Sequence, residues 1–128
     1  MRSRFRRHSS TAIAASLVLA AVVAALAPSR APAQADALTR VTVKMTEYHF
    51  RLSVSHVRKG TVAFTVVNKG QLPHTFEIQR LQKVTPVILP GKQYVMRVTF
   101  KKPGKYYYLC TVGAHVQYGM FGNLRVTS

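Results

Sequence analysis

The sequence predicts an all-β domain, a two-sheet sandwich or small barrel with Greek-key connections. Three observations carry this reading. Apolar and polar residues alternate through several short runs, the period of strands with one buried face. Turn residues punctuate the runs at short intervals. No amphipathic helical pattern, low-complexity tract or internal repeat follows residue 38. Many short strands at this spacing suit a sandwich or barrel.

Residues 1–37 read as a secretory signal peptide with its cleavage region. Arg2, Arg4, Arg6 and Arg7 form a basic start, and Ala12 to Leu26 form an apolar core. Pro28 and the small-residue steps Ala31-Pro32-Ala33, Ala33-Gln34-Ala35 and Ala35-Asp36-Ala37 follow. The apolar core is shorter than the ~20 residues of a spanning helix, so cleavage is expected in preference to a retained membrane anchor. Arg6-Arg7 is followed by His8-Ser9-Ser10, a poor twin-arginine continuation, so the export route stays open. The expected location is the periplasm or another extracytoplasmic space. One cysteine in an oxidising space makes no internal disulfide, and a free thiol there is a liability unless something occupies it.

Residues 38–128 are then one domain. Val41, Val43 and Met45 alternate, as do Phe50, Leu52 and Val54, then Val62, Phe64 and Val66. Tyr94, Met96, Val98 and Phe100 form a fourth run, and Leu124 and Val126 close the chain. Arg58-Lys59-Gly60, Asn68-Lys69-Gly70, Pro90-Gly91 and Pro103-Gly104 separate them. Pro-Gly suits the two central positions of a type II turn. Parity places His74 with Phe76 and Ile78 on one face, Thr75, Glu77 and Gln79 on the other. It places Cys110 with Tyr106 and Tyr108. If those aromatic and aliphatic partners face the core, His74 and Cys110 converge at one end of it.

The whole chain carries a formal charge of +16, and residues 38–128 keep +12 once five arginines and Asp36 are removed with the leader. The basic residues are scattered and make no long run. Such a charge attracts acidic partners and speeds encounter. Nucleic acid is disfavoured by export; weak association with an anionic membrane surface stays open.

The chemistry concentrates between Cys110 and Met120, with His115 midway and His74 upstream. One thiolate, two imidazoles and one thioether suit copper in both oxidation states. Structural zinc sites use cysteine, histidine and carboxylate, not thioether. Gly104-Lys105-Tyr106-Tyr107-Tyr108-Leu109-Cys110, then His115 and Gly119-Met120, resembles the ligand strand and loop of the cupredoxins, the type 1 blue copper family. The two four-residue gaps are similar to those of rusticyanin and auracyanin, and Asn68-Lys69-Gly70 with Pro73-His74 resembles the family's upstream ligand segment. The resemblance implies a Greek-key β-sandwich holding one copper ion, with His74, Cys110 and His115 as strong ligands and Met120 as the axial one. It implies one-electron transfer; a monomeric carrier that is not an enzyme is expected, and the basic charge suits acidic redox partners such as a c-type cytochrome or terminal oxidase. Copper buffering or delivery is the alternative. The chain departs from many relatives by having Gly113-Ala114 where they have Pro-Gly.

Around this site Thr75 is expected to donate its backbone N–H to the Cys110 sulfur and to tie the two ligand segments through its hydroxyl. Leu72, Pro73, Val112, Ala114, Val116 and Phe121 are expected to rim His115. His49 and His56 read as surface residues, Met45 and Met96 as core. Glu47 and Glu77, the only carboxylates after residue 37, make no acid–base pair. Cys110 with His115 as nucleophile and base lacks an oxyanion motif and an orienting acid.

Overall fold

The computed structural model describes residues 38–128; the expected signal peptide lies outside them. Nine strands form two sheets: β1 (Thr39–Thr46), β2 (His49–Leu52), β3 (His56–Arg58), β4 (Gly60–Asn68), β5 (Glu77–Ile78), β6 (Lys83–Val84), β7 (Gln93–Phe100), β8 (Gly104–Leu109) and β9 (Phe121–Thr127). The first sheet runs β2-β1-β4-β7 and the second β3-β9-β8-β5-β6. The helical content of the described residues is one 3-10 turn, Gln79–Leu81. No described helix is long and apolar enough to cross a membrane. The domain is the all-β sandwich that the alternation predicts.

Alternation sets the core directly. Val41, Val43 and Met45 of β1 are at most 1 % exposed, as are Val62, Phe64 and Val66 of β4. Val41 lies opposite Phe64, which lies opposite Met96, so one row crosses three strands. Tyr106, Leu124 and Val126 bury against these from the second sheet. Phe64 contacts Phe100 and Phe76 at centroid distances of 6.2 and 5.5 Å, and Phe76 contacts Phe50 and Tyr108 at 5.4 Å each. This aromatic file includes Phe76, two residues from His74.

Crossing between sheets makes two pairings parallel. β2 folds back on β1, β3 joins the second sheet, and β4 returns beside β1 in the same direction. β3 likewise runs parallel to β9. His49 and His56 are both exposed but belong to different sheets. β2 stops at Leu52, so Val54 lies outside it. Pro90 and Gly91 occupy a type II turn, closed by the Lys92 N–H on the Leu89 carbonyl with Gly91 at φ +76°. Pro103-Gly104 differs: Gly104 opens β8 at φ +144°.

Candidate metal centre

His74 sits just before β5. Its N–H donates to the Ile88 carbonyl at 3.1 Å and its carbonyl accepts from the Ile88 N–H at 2.8 Å, an isolated bridge that pins its backbone. The incoming loop is held by Asn68, which is fully buried. Its amide donates to the Leu72 and Ile88 carbonyls at 2.7 and 2.8 Å, and its oxygen accepts the Gly70 N–H at 2.9 Å.

Cys110 follows the last residue of β8, at the same end of the sandwich. Its N–H donates to the Met120 carbonyl at 3.0 Å, and the Met120 N–H donates to the His115 carbonyl at 3.1 Å. The loop from Cys110 to Met120 is therefore closed at its base. The His115 N–H reaches the Val112 carbonyl at 3.1 Å around Gly113-Ala114, where Gly113 takes φ +47°. Met120 is fully buried in the core, with its main chain adjoining both Cys110 and His115.

Three donor atoms meet here. His74 Nδ1 is 3.1 Å from His115 Nδ1, Cys110 Sγ is 3.9 Å from the first and 3.6 Å from the second. All three residues are buried. A triangle with those sides has a circumscribed radius of about 2.1 Å, within the span of bonds from a first-row metal ion to imidazole or thiolate, about 2.0–2.3 Å. The donors are spaced to hold a metal ion.

The Thr75 N–H points at Cys110 Sγ across 3.5 Å, as the sequence led one to expect. Its hydroxyl lies 3.8 Å from the same sulfur, 2.8 Å from the Thr111 hydroxyl, and accepts the Thr111 N–H at 2.8 Å. Thr75 is 4 % exposed. Parity had placed it opposite His74 on the outer face. The segment 74–76 is not regular strand, so side chains on both sides of it are covered.

Two residues that the sequence reading did not place at the site adjoin it. Glu47 and Tyr48 form the turn between β1 and β2. Glu47 Oε1 accepts the N–H groups of Gln71 and Leu72 at 2.6 and 2.7 Å, and lies 3.5 Å from His74 Nε2. The Leu72 N–H, then the residue's own, outweigh partial desolvation and lower the Glu47 carboxyl from 4.5 to about 2, with further help from Gln71 and His74. His74 is pushed below its ordinary value by burial, then by the neighbouring His115. Tyr48, at φ +57°, sets its ring against the His115 ring at 5.1 Å and against Tyr118 at 4.8 Å. Glu47 carried one signal in the sequence, as a rare carboxylate in a strongly basic chain; nothing marked Tyr48. Leu72 is exposed beside the site, while Phe121 stacks on Tyr107 at 5.5 Å.

A cupredoxin-like domain family matches residues 16–123. The chain belongs to the cupredoxin-like family. Solved structures carry the same fold. Dithionite-reduced auracyanin from the photosynthetic bacterium Roseiflexus castenholzii aligns with a TM-score of 0.58 at 19 % identity, over 72 % of this chain and 99 % of that one. Auracyanin B aligns at 0.57 and 18 %, over 70 % and 89 %. The periplasmic domain of cytochrome oxidase subunit II from Bradyrhizobium japonicum aligns at 0.60 and 12 %, over 70 % and 84 %. No curated protein matches the chain. In this cupredoxin the donor triangle stands at the end of the sandwich where β8 runs out, walled by the 69–73 loop, the 110–120 loop and the β1–β2 turn.

Proposed function

We propose that this cupredoxin is an exported mononuclear copper protein that passes single electrons between redox partners. The observation that carries the reading is the buried triangle of two imidazole nitrogens and one sulfur, sized for one ion. His74, Cys110 and His115 would hold the ion, with Met120 as the axial fourth ligand. Copper bound there supplies one-electron chemistry between Cu(I) and Cu(II).

The protein's own contribution is rigidity, shielding and access. Cys110 and Met120 are tied backbone to backbone, His74 is bridged to Ile88, and Thr75 spans the two ligand segments. The Thr75 N–H stabilises negative charge on the sulfur. His74 and Cys110 are wholly covered, while His115 is 9 % exposed and nearest to solvent, flanked by Tyr48 and the exposed Tyr118. That edge is the exit for an electron.

The proposed partners are acidic redox proteins, such as a c-type cytochrome or a terminal oxidase. Lys44 and Arg51 stand directly opposite each other on β1 and β2, and with Lys69 and His49 they line one open groove that holds no carboxylate. Like charges in that arrangement cost stability, and a partner's carboxylates would relieve it. The groove flanks the hairpin whose turn covers the site. Export follows from the leader's pattern, and bound copper would protect the lone thiol. The closed, buried donor set favours retention of the ion over its delivery.

The test is titration of the purified protein with Cu(II), followed by voltammetry. One equivalent should give an intense visible thiolate-to-copper band and a reversible one-electron wave. Cys110→Ser should abolish the band; Met120→Leu should keep it and raise the reduction potential. A wild-type protein that stays colourless would overturn the reading. One that gives its copper to an acceptor without cycling would establish delivery.

A further inference from the structure

We propose that Glu47 is a positioning residue for the metal centre: it holds His74 in the tautomer that leaves Nδ1 free to bind, and its charge lowers the reduction potential. The proposal rests on the copper reading above.

His74 Nδ1 is the atom that faces His115 Nδ1 and Cys110 Sγ. If Nδ1 is the donor to the ion, the ring proton must sit on Nε2. Nε2 is buried and makes no hydrogen bond, alone in this among the buried side-chain nitrogens and oxygens of the described residues. A buried N–H without an acceptor is unfavourable. The acceptor beside it is Glu47 Oε1, 3.5 Å away. That separation is longer than a hydrogen bond. A closure of a few tenths of an ångström would bring it into hydrogen-bond range.

Glu47 is built to be there. The same oxygen accepts two backbone N–H groups from the loop that delivers His74. A β-carbon at position 70 would overlap the Glu47 carboxylate, so a side chain there would push the carboxylate out of this seat. The adjacent Tyr48 packs edge-on against the His115 ring. One two-residue turn thus braces both histidines from outside, Glu47 behind His74 and Tyr48 beside His115. A carboxylate behind a metal-bound histidine fixes the ring and makes it a stronger donor. A negative charge so close favours the more positive oxidation state of the ion.

The sequence alone could not supply this link, because Glu47 and His74 lie 27 positions apart on unrelated segments. They meet only through the register of β1 and β4, which sets Met45 opposite Asn68.

The test compares the full-length wild type with Glu47→Ala, Glu47→Gln and, as a control of equal charge change, Glu77→Gln. Three readouts are used: Cu(II) affinity by competition, reduction potential by voltammetry, and the His74 ring N–H by NMR in the diamagnetic Cu(I) form. Glu47→Ala should weaken copper binding by roughly 10–100-fold. Glu47→Gln keeps an oxygen acceptor without the charge; it should recover most of the affinity yet show a raised potential. The slowly exchanging Nε2 proton should be present in wild type and Glu47→Gln and lost in Glu47→Ala. Glu77→Gln should match wild type throughout. If wild type binds copper with its visible band but the Glu47 variants match it in affinity and potential, the role of Glu47 is refuted while the copper site stands. If wild type itself shows no band, the copper reading falls and this proposal falls with it. Should Glu47→Ala not fold, Glu47→Gln against Glu77→Gln still decides through the potential.

Discussion

Replacing Thr75 by valine removes one oxygen and keeps the shape of the side chain. That oxygen accepts the Thr111 N–H at 2.8 Å and shares a proton with the Thr111 hydroxyl at 2.8 Å. The Thr111 side chain is exposed and can turn to water, whereas its N–H, held in a part-buried bond, loses its acceptor. One lost bond with a stranded donor corresponds to about 2 kcal/mol. For a domain of this size that is roughly 8–16 °C in Tm. The Thr75 N–H to sulfur contact at 3.5 Å is untouched, so the sulfur keeps its main donor. The measurement is urea unfolding of the metal-free protein, Thr75→Val against wild type. Thr111→Val completes a double-mutant cycle, expected to show a coupling of about 0.5–1 kcal/mol between the hydroxyls. A Thr75→Val protein within about 0.5 kcal/mol of wild type, the size of a featureless surface change, would refute the claim that this hydroxyl ties the two ligand segments.

Asn68→Ala removes the donor to the Leu72 and Ile88 carbonyls and strands the buried Gly70 N–H, and should cost about 1–3 kcal/mol in urea unfolding. Phe76→Ala opens a cavity where the aromatic file meets the site; about 3–5 kcal/mol is expected by the same assay, with weakened metal binding. Acid should destabilise the metal-free domain in two stages. His74 is depressed below its ordinary 6.5, so its contribution is complete above that pH and is lost as pH falls below it. Glu47 is lowered from 4.5 to about 2, so its contribution is complete above pH 4.5 and is lost as pH falls toward 2. Glu47→Gln should flatten the second stage and, by removing the charge that supports a protonated His74, deepen the first; a urea midpoint independent of pH would contradict both assignments.

The strands and their inward faces were legible because burial on one side of a sheet imposes a period of two. Val62, Phe64 and Val66 illustrate it, and Met45 and Met96 fall in the core as that period requires. Convergence of His74 and Cys110 was legible by the same parity. The parallel pairing of β1 with β4 was not, since it depends on β3 crossing to the other sheet. Thr75 was legible as a sulfur donor but not as a buried residue, because segment 74–76 leaves the strand pattern on which parity rests. Tyr48 could not be found at all. A tyrosine at φ +57° carries none of the glycine or asparagine signature of such a turn, and packing on His115 and Tyr118 accounts for it instead. Glu47 needed the three-dimensional register to reveal that its carboxylate lies behind His74.

The most direct measurement is X-ray absorption at the copper edge of the protein loaded with one equivalent of Cu(II). Two nitrogens and one sulfur at about 2.0–2.3 Å from the copper are the expected result. Nitrogen and oxygen neighbours alone, with no sulfur, would contradict it.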